Sequence, residues 1–396
     1  MNLTEKQEQG LELAIERFKN HCQYTCISGY AGTGKTELVK YIIAALAPLG
    51  VDPSTDVCYT AYTGKAVEVL KSKGNKEAMT LHKLLFESKP KPDGTFFRIP
   101  VRFLPYKIIV VDEVSMVTQE LMKRLLSHRN IYYLFLGDPF QLPPVSEKDS
   151  NNILDNPHVF LDEIMRQEEN SEIIQLSMKI RNMEDIEYMK GQQVQVLPKE
   201  ELTTGMLEWA DQVLVATNKV RQNINTLMRE LQGKPANEVV EGDKIICLRN
   251  YWDTISEDEE ECLVNGTIGI IHNPFTYDIK PFCRGKYFCF DTLSGVLESQ
   301  SGTEFNNVEI DNEMLFSGKP CVNYRDAYYL NKRYKGHAPI PAEFAFAYAI
   351  TVHKSQGSQW DKIVILEEKF PFDKEEHARW LYTAVTRGAK KIILVR

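Results

Sequence analysis

Apolar and polar positions along the chain alternate between short apolar runs and amphipathic stretches that have the period of a helix. The first helix is marked by a T-x-x-Q capping pattern, Thr4 to Gln7, followed by apolar residues at i, i+3, i+4 and i+7. Short apolar strands then alternate with helical stretches over residues 24–136, and again over residues 213–395. Such alternation is typical of parallel sheets covered by helices on both faces. The pattern therefore predicts two α/β domains of similar design.

Two stretches break this alternation. Residues 86–105 contain Lys-Pro-Lys-Pro, an Asp93-Gly94 turn and the pair Phe96-Phe97, which predict a small β-hairpin inserted into the first domain. Residues 240–337 contain many short strands and turn pairs such as Asn265-Gly266 but no long helix, which predicts an inserted β-barrel. The rest of the chain forms the two expected domains: 1–85 with 106–200, and 201–239 with 338–396.

Composition narrows the class of protein. With 396 residues, the chain is too long for one ordinary core and is expected to form two or three domains. No apolar stretch approaches the roughly 18 residues that span a membrane, and the N-terminus lacks signal-peptide character, so we expect a cytoplasmic protein. The eight cysteines include no C-x-x-C pair, which predicts reduced thiols and not a zinc site. A net charge of −8 argues against coating nucleic acid through bulk charge but leaves room for a local groove.

The strongest chemical signal is a phosphate-binding pattern between a strand and a helix. Gly29–Thr36 matches G-x-x-x-x-G-K-[ST], whose backbone N–H groups cradle phosphates at the positive end of a helix. We expect Lys35 to bridge the β- and γ-phosphates and Thr36 to hold Mg²⁺. The predicted nucleotide-binding residues of the loop are Gly29, Ala31, Gly32, Thr33, Gly34, Lys35 and Thr36. The alternative is a plain glycine turn, which the flanking strand and helix disfavour.

A strand that ends in two acids supplies the other groups that triphosphate hydrolysis needs. The strand Ile109-Val110-Val111 runs into Asp112 and Glu113. Because strand ends beside a phosphate loop point into the ligand crevice, Asp112 is the candidate Mg²⁺ ligand and Glu113 the candidate general base. A further strand ends at Gly137-Asp138, which strengthens this interpretation.

Eight motifs, in order along the chain, resemble those of superfamily 1 DNA helicases of the RecD and phage Dda type. The motifs are Gly29–Thr36, Ala61–Ala66, Thr80–His82, Asp112–Met116, Gly137–Leu142, Met165–Gln167, Thr351–Gly357 and Tyr382–Arg387. The resemblance implies two RecA-like parallel-sheet motor domains. It also implies that the hairpin at 86–105 is the strand-separating pin and that residues 240–337 form an SH3-like domain.

The resemblance assigns further residues to the nucleotide. Gln7 resembles the glutamine that reads adenine, although it also fits as the capping partner of Thr4. Gln141 resembles the glutamine that senses the γ-phosphate, the alternative being an amide that caps a loop. Arg166 and Arg387 resemble the two arginines that reach the γ-phosphate from the second domain, and a surface ion pair is the alternative for Arg166. If the two domains hold the nucleotide between them, binding would draw them together and hydrolysis would release them.

The resemblance also implies a single-stranded DNA groove that grips the backbone with little sequence preference. The predicted DNA-binding residues are Thr63, Lys65, Thr80, His82, Phe96, Phe97, Asn218, Thr351, His353 and Lys354. Packed histidines are the alternative for His82 and His353. Phe96 and Phe97 are expected at the hairpin tip, either as a wedge against the last base pair or as rings packed on the parent domain.

The function implied is an ATP-dependent, DNA-stimulated helicase that moves 5′ to 3′, with ATP and Mg²⁺ as cofactors. Expected partners are single-stranded and forked DNA, with replication or repair proteins as further candidates, and a monomer is expected. The compact outline favours the phage type, so a virus-encoded protein acting in the host cytoplasm is compatible with it. Two alternatives stay open, which are a translocase that strips proteins from DNA and a phosphate-loop kinase that acts on a small molecule.

Overall fold

The computed structural model describes residues 3–90, 96–143, 152–163, 171–257, 262–300, 302–335, 337–368 and 373–396. The chain divides into two compact units. The first contains Met1–Leu85, Val101–Ala216 and Thr351–Arg396, and the second contains Phe86–Pro100 and Thr217–Ile350. The chain therefore leaves the first unit twice and returns to it twice. Among the described residues, no helix combines the length and apolar character needed to cross a bilayer.

The elements follow one another in the alternation expected from the sequence. The helices are α1 (Glu5–Lys19), α2 (Lys35–Leu46), α3 (Gly64–Ser72), α4 (Leu81–Leu85), α5 (Gln119–Leu126), α6 (Glu172–Arg181), α7 (Thr204–Trp209), α8 (Asn218–Leu231), α9 (Asn312–Ser317), α10 (Tyr324–Arg333), α11 (Val352–Ser355) and α12 (Lys374–Val385). The strands are β1 (Tyr24–Gly29), β2 (Val57–Ala61), β3 (Met79–Thr80), β4 (Phe86–Pro90), β5 (Phe96–Pro100), β6 (Ile108–Asp112), β7 (Tyr132–Gly137), β8 (Val159–Leu161), β9 (Met189–Lys190), β10 (Val194–Leu197), β11 (Gln212–Val215), β12 (Asp243–Cys247), β13 (Tyr251–Ile255), β14 (Cys262–Leu263), β15 (Ile268–Ile279), β16 (Phe282–Cys283), β17 (Lys286–Tyr287), β18 (Phe290–Ser299), β19 (Glu304–Phe305), β20 (Ile310–Asp311), β21 (Phe344–Phe346), β22 (Ala349–Thr351), β23 (Trp360–Leu366) and β24 (Gly388–Val395).

The first sheet of the first unit has six parallel strands in the order β3-β2-β6-β7-β1-β8. Its strands are apolar because both faces are covered, and Ile27 of β1 packs with Leu38 and Ile42 of α2 in one buried cluster. The predicted capping box at the start of α1 is confirmed. The Thr4 backbone N–H donates to Gln7 Oε1 at 3.0 Å, and the Gln7 N–H donates to Thr4 Oγ1 at 3.3 Å. The parallel α/β architecture predicted from the alternation is confirmed.

The second sheet of the same unit contains strands in the order β11-β23-β24-β10-β9. Strands β11, β23, β24 and β10 are mutually parallel, and β9 pairs antiparallel to β10. This sheet takes up residues earlier than the expected boundary at 200, because Val194 of β10 pairs with Ile392 of β24. Helix α6 also packs on α12 and on β24. Residues from α6 onwards therefore pack with the second sheet, whereas the division into units places no boundary between residues 101 and 216, so the expected domain bounds stay a prediction.

The second unit is built on an antiparallel sheet in the order β19-β18-β15-β12-β21, with β20 paired to β18. Strand β21 lies beyond residue 337, so the β-rich region continues past its expected end. The region also contains helix α10, whose 10 residues are fewer than the roughly 11–12 of an average helix. Its only buried residue is Leu330, so the sequence carries no apolar stripe by which a helix is recognised. An SH3-like fold for this region stays a prediction.

A buried ion pair joins helix α8 to strand β12 in the second unit. The Arg229 guanidinium donates to both carboxylate oxygens of Asp243 at 3.1 Å, and Lys234 Nζ donates to Asp243 Oδ1 at 3.2 Å. The phenol of Tyr348 adds a bond to Asp243 at 2.8 Å. The Asp243 side chain is fully buried, and its hydrogen bonds to Arg229, Val240 and Tyr348 hold its pKa below the usual range despite burial. The Asp243 carboxylate is thus fully paired inside the unit, with two cations around one anion.

The predicted hairpin is present as β4 and β5, which pair from Phe86↔Pro100 to Pro90↔Phe96. Phe96 and Phe97 are the first residues of β5. The Asp93-Gly94 turn lies outside the described residues, as do the side-chain positions of Phe96 and Phe97. Their wedge role therefore stays a prediction.

Candidate active site

The phosphate loop connects β1 to α2 in the first unit. Gly32 and Gly34 have φ angles of +77° and +75°, which are left-handed conformations that glycine adopts without strain. A Cβ on Gly29 would lie 2.7 Å from the carbonyl oxygen of Leu161, so the loop start has no room for a side chain. The loop residues, with Lys40, line a crevice of about 630 Å³ at the N-terminus of α2. A glycine loop at a helix N-terminus is suited to an anion with several phosphates.

The loop is held by side chains from inside and outside it. Lys35 Nζ donates to the carbonyl oxygens of Gly29 and Tyr30 at 2.7 and 2.8 Å. Thr33 Oγ1 donates to the carbonyl of Tyr30 at 2.8 Å. Gln7 Nε2 donates to the carbonyl of Thr33 at 3.1 Å. Gln7 therefore both closes the capping box and supports the loop, and its contact with adenine stays a prediction.

The two acids at the end of β6 lie beside the loop. Asp112, Glu113, Lys35 and Thr36 all line an adjoining cavity of about 230 Å³. Glu113 has a φ of +51°, which is unusual for a residue with a side chain and typical of functional sites. Burial, and then the neighbouring Glu113 carboxylate, raise the pKa of Asp112 to about 6.

This donor set fits a hard divalent cation. The Asp112 carboxylate and the Thr36 hydroxyl offer oxygen ligands to one cavity, and Mg²⁺ prefers oxygen ligands. Positive charge near Asp112 would offset the cost of burying its carboxylate. Thr36 and Asp112 are therefore the residues that would hold a magnesium ion.

Gln141 joins the candidate base to the candidate arginine. With its amide placed so that both ends are satisfied, Nε2 donates to Glu113 Oε2 at 3.2 Å and Oε1 accepts from Arg387 Nη2 at 3.2 Å. Arg387 is 5% exposed, and its other nitrogens donate to the carbonyls of Thr383 and Ser358 at 3.1 and 3.3 Å. Glu113 follows the first sheet and Arg387 precedes β24 of the second sheet. The amide therefore links the two sheets within the first unit.

A buried tyrosine makes a second link that the sequence reasoning missed. The phenol of Tyr382 donates to Asp138 Oδ2, and its oxygen accepts from the backbone N–H of Ala31 in the phosphate loop. Burial raises the pKa of Asp138, and the positive charge of Lys35 acts in the opposite direction. Tyr382 is the first residue of the Tyr382–Arg387 motif, but only the tertiary fold reveals its partners.

Further contacts hold residues 138–142, which follow β7, against α12 and the end of α11. The backbone N–H of Leu142 donates to Thr383 Oγ1 at 3.0 Å, and Gln356 Nε2 donates to the Leu142 carbonyl at 2.6 Å. The Arg379 guanidinium lies 5.5 Å from the ring centroid of Phe140. Gln356 was not among the predicted site residues, although it lies within the motif 351–357. Residues 138–142 are therefore in direct contact with α12.

The predicted DNA-binding residues of the first unit lie at helix starts. Thr63 Oγ1 caps α3 by accepting from the Ala66 N–H at 3.2 Å, and Thr80 Oγ1 accepts from the Lys83 N–H at 3.2 Å. Gly357, with a φ of +77°, lies so close to Thr63 that an added Cβ would be 2.5 Å from Oγ1. The Thr351–Gly357 motif therefore contacts the Ala61–Ala66 motif.

The histidines are both half-buried. The His82 ring contacts Tyr62 with centroids 5.7 Å apart. Burial lowers the pKa of His353, which favours a neutral imidazole that offers one donor and one acceptor. Lys354 is half-buried and Thr351 is buried at the start of α11, whereas Asn218 is exposed at the start of α8 in the second unit. Arg166 and the side chain of Lys65 lie outside the described residues.

Known proteins resemble the chain over its whole length. An AAA domain model matches residues 2–197, and a UvrD-like helicase C-terminal domain model matches residues 346–395. The ATP-dependent DNA helicase dda of Enterobacteria phage T4 is 25% identical over 458 aligned residues, covering 100% of this chain and 99% of the relative. The ATP-dependent RecD2 DNA helicase of Deinococcus radiodurans is 26% identical, covering 91% of this chain and 45% of the relative.

Solved structures share the fold. A Pif1 helicase solved for DNA unwinding at forked dsDNA aligns with a TM-score of 0.53 and 19% identity, covering 100% of this chain and 92% of that one. Pif1 helicase from Bacteroides in complex with ADP-AlF3 and ssDNA aligns with a TM-score of 0.52 and 17% identity, at the same coverage. Both matched domain models, the eight ordered motifs and the full-length match lead to one conclusion, which is that the chain belongs to the superfamily 1 DNA helicases of the RecD and Dda type.

Proposed function

We propose that this protein is an ATP-dependent DNA helicase that moves 5′ to 3′ along single-stranded DNA and unwinds the duplex ahead of it. The observation that carries the proposal is the bridge from Glu113 through Gln141 to Arg387. A small-molecule kinase needs a phosphate loop and acids, but it has no need of an amide that connects the base to a distant sheet. The phage T4 and Deinococcus relatives are both named as ATP-dependent DNA helicases, which supports the same assignment.

The site residues have distinct tasks in hydrolysis. Lys35 and the loop N–H groups bind the β- and γ-phosphates, and Thr36 with Asp112 would hold Mg²⁺, which supplies positive charge to the phosphate oxygens. Glu113 orients a water molecule towards the γ-phosphorus and accepts its proton. Arg387, with Arg166 as the second arginine, stabilises the charge of the transition state, an effect worth roughly 10³–10⁵ in rate.

Movement follows from the links between the two sheets. Arg387 and Gln141 can bond to a γ-phosphate or to each other, so their partners differ before and after hydrolysis. Residues 138–142 bond to Tyr382 and Thr383 of α12 and to Gln356 after α11, and so these elements transmit that difference. The strand is gripped at Thr63, Thr80 and the 351–357 motif, which adjoin these elements. Each cycle would therefore shift one grip relative to the other.

The proposed partners are single-stranded and forked DNA, with proteins of replication or repair as further candidates. We propose a monomer in the cytoplasm, or in the host cytoplasm if the protein is virus-encoded, a setting that the phage T4 relative supports. Unwinding rests on the hairpin β4–β5, where Phe96 and Phe97 would cover the last base pair.

ATPase and strand-separation assays on 5′-tailed, 3′-tailed and blunt duplexes test the proposal. We expect single-stranded DNA to stimulate ATPase, unwinding only from a 5′ tail, and loss of both activities in Lys35→Ala. Unwinding only from a 3′ tail would refute the polarity, and ATPase that ignores DNA would refute the motor. Phe97→Ala tests the pin, because unchanged strand separation would favour a translocase that displaces bound proteins. Phe103→Ala, at another exposed ring that is 78% accessible, is the matched control.

A further inference from the structure

One face of helix α10 in the second unit carries no acidic residue and points away from the core of that unit. Leu330 is its only buried residue. The opposite side of the helix carries Tyr324 and Tyr328, which are 88% and 58% exposed, together with exposed Arg325 and Lys332. Residues at i and i+4 are neighbours on a helix surface, so Tyr328 is a neighbour of both Tyr324 and Lys332 on this side of the helix.

The turn between β16 and β17 extends this face. Arg284 lies 4.1 Å from the centroid of the Tyr329 ring, and Lys286 Nζ pairs with Asp326 at 3.2 Å. The backbone N–H of Phe282 donates to the Tyr334 phenol at 3.0 Å. These contacts fix the turn against α10, and Tyr287 in this turn is 75% exposed. We call the exposed basic and aromatic residues of α10 and of the turn the basic–aromatic surface, formed by Arg284, Tyr287, Tyr324, Arg325, Tyr328 and Lys332.

The charge of this surface is opposite to that of the protein. The whole chain has a net charge of −8. Segments 284–287 and 324–335 nevertheless contain six cations and a single acid, Asp326, which is already paired with Lys286. An excess of exposed cations over acids favours the binding of a polyanion. At this surface the local positive charge attracts phosphates, although the negative charge of the whole protein would repel them.

The exposed tyrosines indicate which class of polyanion this surface would bind. Within the described part of the chain, the hydroxyls of Tyr287 and Tyr324 make no hydrogen bond, and burial of these rings contributes little to the core. Exposed aromatic rings interleaved with cations are the arrangement on which unpaired bases stack. Bases of a duplex are already stacked on each other, and centres of protein interfaces are depleted in charge. Single-stranded nucleic acid is thus the partner that uses both features.

We propose that the basic–aromatic surface is a second binding site for single-stranded DNA, separate from the predicted groove of the motor sheets. The choice of DNA rests on the proposed function. Tyr324 and Tyr328 stack on successive bases while Arg325 and Lys332 contact the phosphates that flank them. None of its residues lines either cavity at the phosphate loop, so we propose that it holds the strand independently of the ATP cycle.

Fluorescence anisotropy of a short labelled oligothymidylate with the full chain tests the site. Tyr324→Ala with Tyr328→Ala is expected to weaken binding about tenfold through lost stacking. Arg325→Glu with Lys332→Glu is expected to reduce the slope of log affinity against log salt by about 1.4, since roughly 0.7 is lost for each of the two phosphate contacts. Matched controls are Tyr188→Ala, a ring that is 62% exposed, and Lys199→Glu with Lys374→Glu, which change the net charge equally.

The outcomes separate this site from the proposed function. We expect the surface variants to keep the ATPase rate at saturating DNA, to need more DNA for half-stimulation, and to bind blunt duplex as the wild type does. If wild type shows DNA-stimulated ATPase but the surface variants match their controls in affinity and salt slope, the second site is refuted and the motor stands. If wild type binds the oligonucleotide through this surface but ATPase ignores DNA, the proposed function fails and the site stands.

Discussion

The phenol of Tyr382 donates a hydrogen bond to Asp138 Oδ2 at 2.6 Å, and each residue is 1% exposed. The same oxygen accepts from the Ala31 N–H at 3.0 Å. Asp138 follows β7 and Ala31 belongs to the phosphate loop, whereas Tyr382 lies on α12. One phenol therefore ties the helix of the second sheet to two nucleotide-facing segments of the first.

Tyr382→Phe is expected to destabilise the protein by about 1–3 kcal/mol, because it leaves the buried Oδ2 of Asp138 without its donor, while Oδ1 keeps the Phe140 N–H. It also frees the Ala31 N–H, so affinity for a non-hydrolysable ATP analogue should change by more than threefold, as measured by titration calorimetry. Tyr133→Phe is the matched control, since it removes a buried phenol that donates to the Leu125 carbonyl at 2.6 Å. Equal effects of the two variants on nucleotide affinity would contradict a link to the loop.

Gln141→Leu is expected to retain nucleotide affinity and to lower DNA-stimulated ATPase by about 10–100-fold. Hydrogen bonds to charged partners are worth about 1.5–3 kcal/mol, and Gln141 bonds to both Glu113 and Arg387. Single-turnover hydrolysis and analogue binding would separate the two effects. Gln23→Leu, which loses a bond to the Leu126 carbonyl at 2.7 Å and lines neither cavity of the active site, serves as the control. Turnover of Gln141→Leu at the wild-type rate would show that the bridge has no part in hydrolysis.

Gly357→Ala is expected to destabilise the protein more than Gly285→Ala. The two glycines have φ angles of +77° and +79°, so both substitutions carry the same backbone penalty of about 1–2 kcal/mol. Only at Gly357 does the new Cβ meet Thr63 Oγ1 at 2.5 Å, since nothing lies within 4 Å at Gly285. Urea denaturation of both variants measures the difference. Equal midpoint shifts would mean that Thr63 moves aside without cost.

Asp243→Asn is expected to destabilise the second unit by about 3–5 kcal/mol, because it leaves Arg229 buried without its counter-charge. Asp361→Asn, which breaks an exposed pair with Lys390, should cost no more than about 1 kcal/mol. Thermal unfolding followed by calorimetry would compare them. A small loss in Asp243→Asn would indicate that Tyr348 and backbone carbonyls already satisfy the two cations.

The sequence revealed elements that depend on local pattern and missed those that depend on distant pairing. The capping box at Thr4 and the alternation of strands and helices are local, and both are confirmed. Helix α10 buries only Leu330, so its pattern shows no apolar stripe. The pairing of β10 with β24 and the bond from Tyr382 to Asp138 join residues about 200 or more positions apart. No local rule could have predicted either.

Strand β24 lies between β23 and β10 in the second sheet. Because synthesis proceeds from the N-terminus, β10 and β23 leave the ribosome before β24. Until β24 follows, the backbone edge of each strand that pairs with β24 has no hydrogen-bond partner. The second sheet can close only after residues 388–395 emerge, and Arg387 reaches Gln141 in the same event. Assembly of the catalytic cleft and completion of this sheet are therefore one late step in biosynthesis, and shortening the chain before β24 would remove both together.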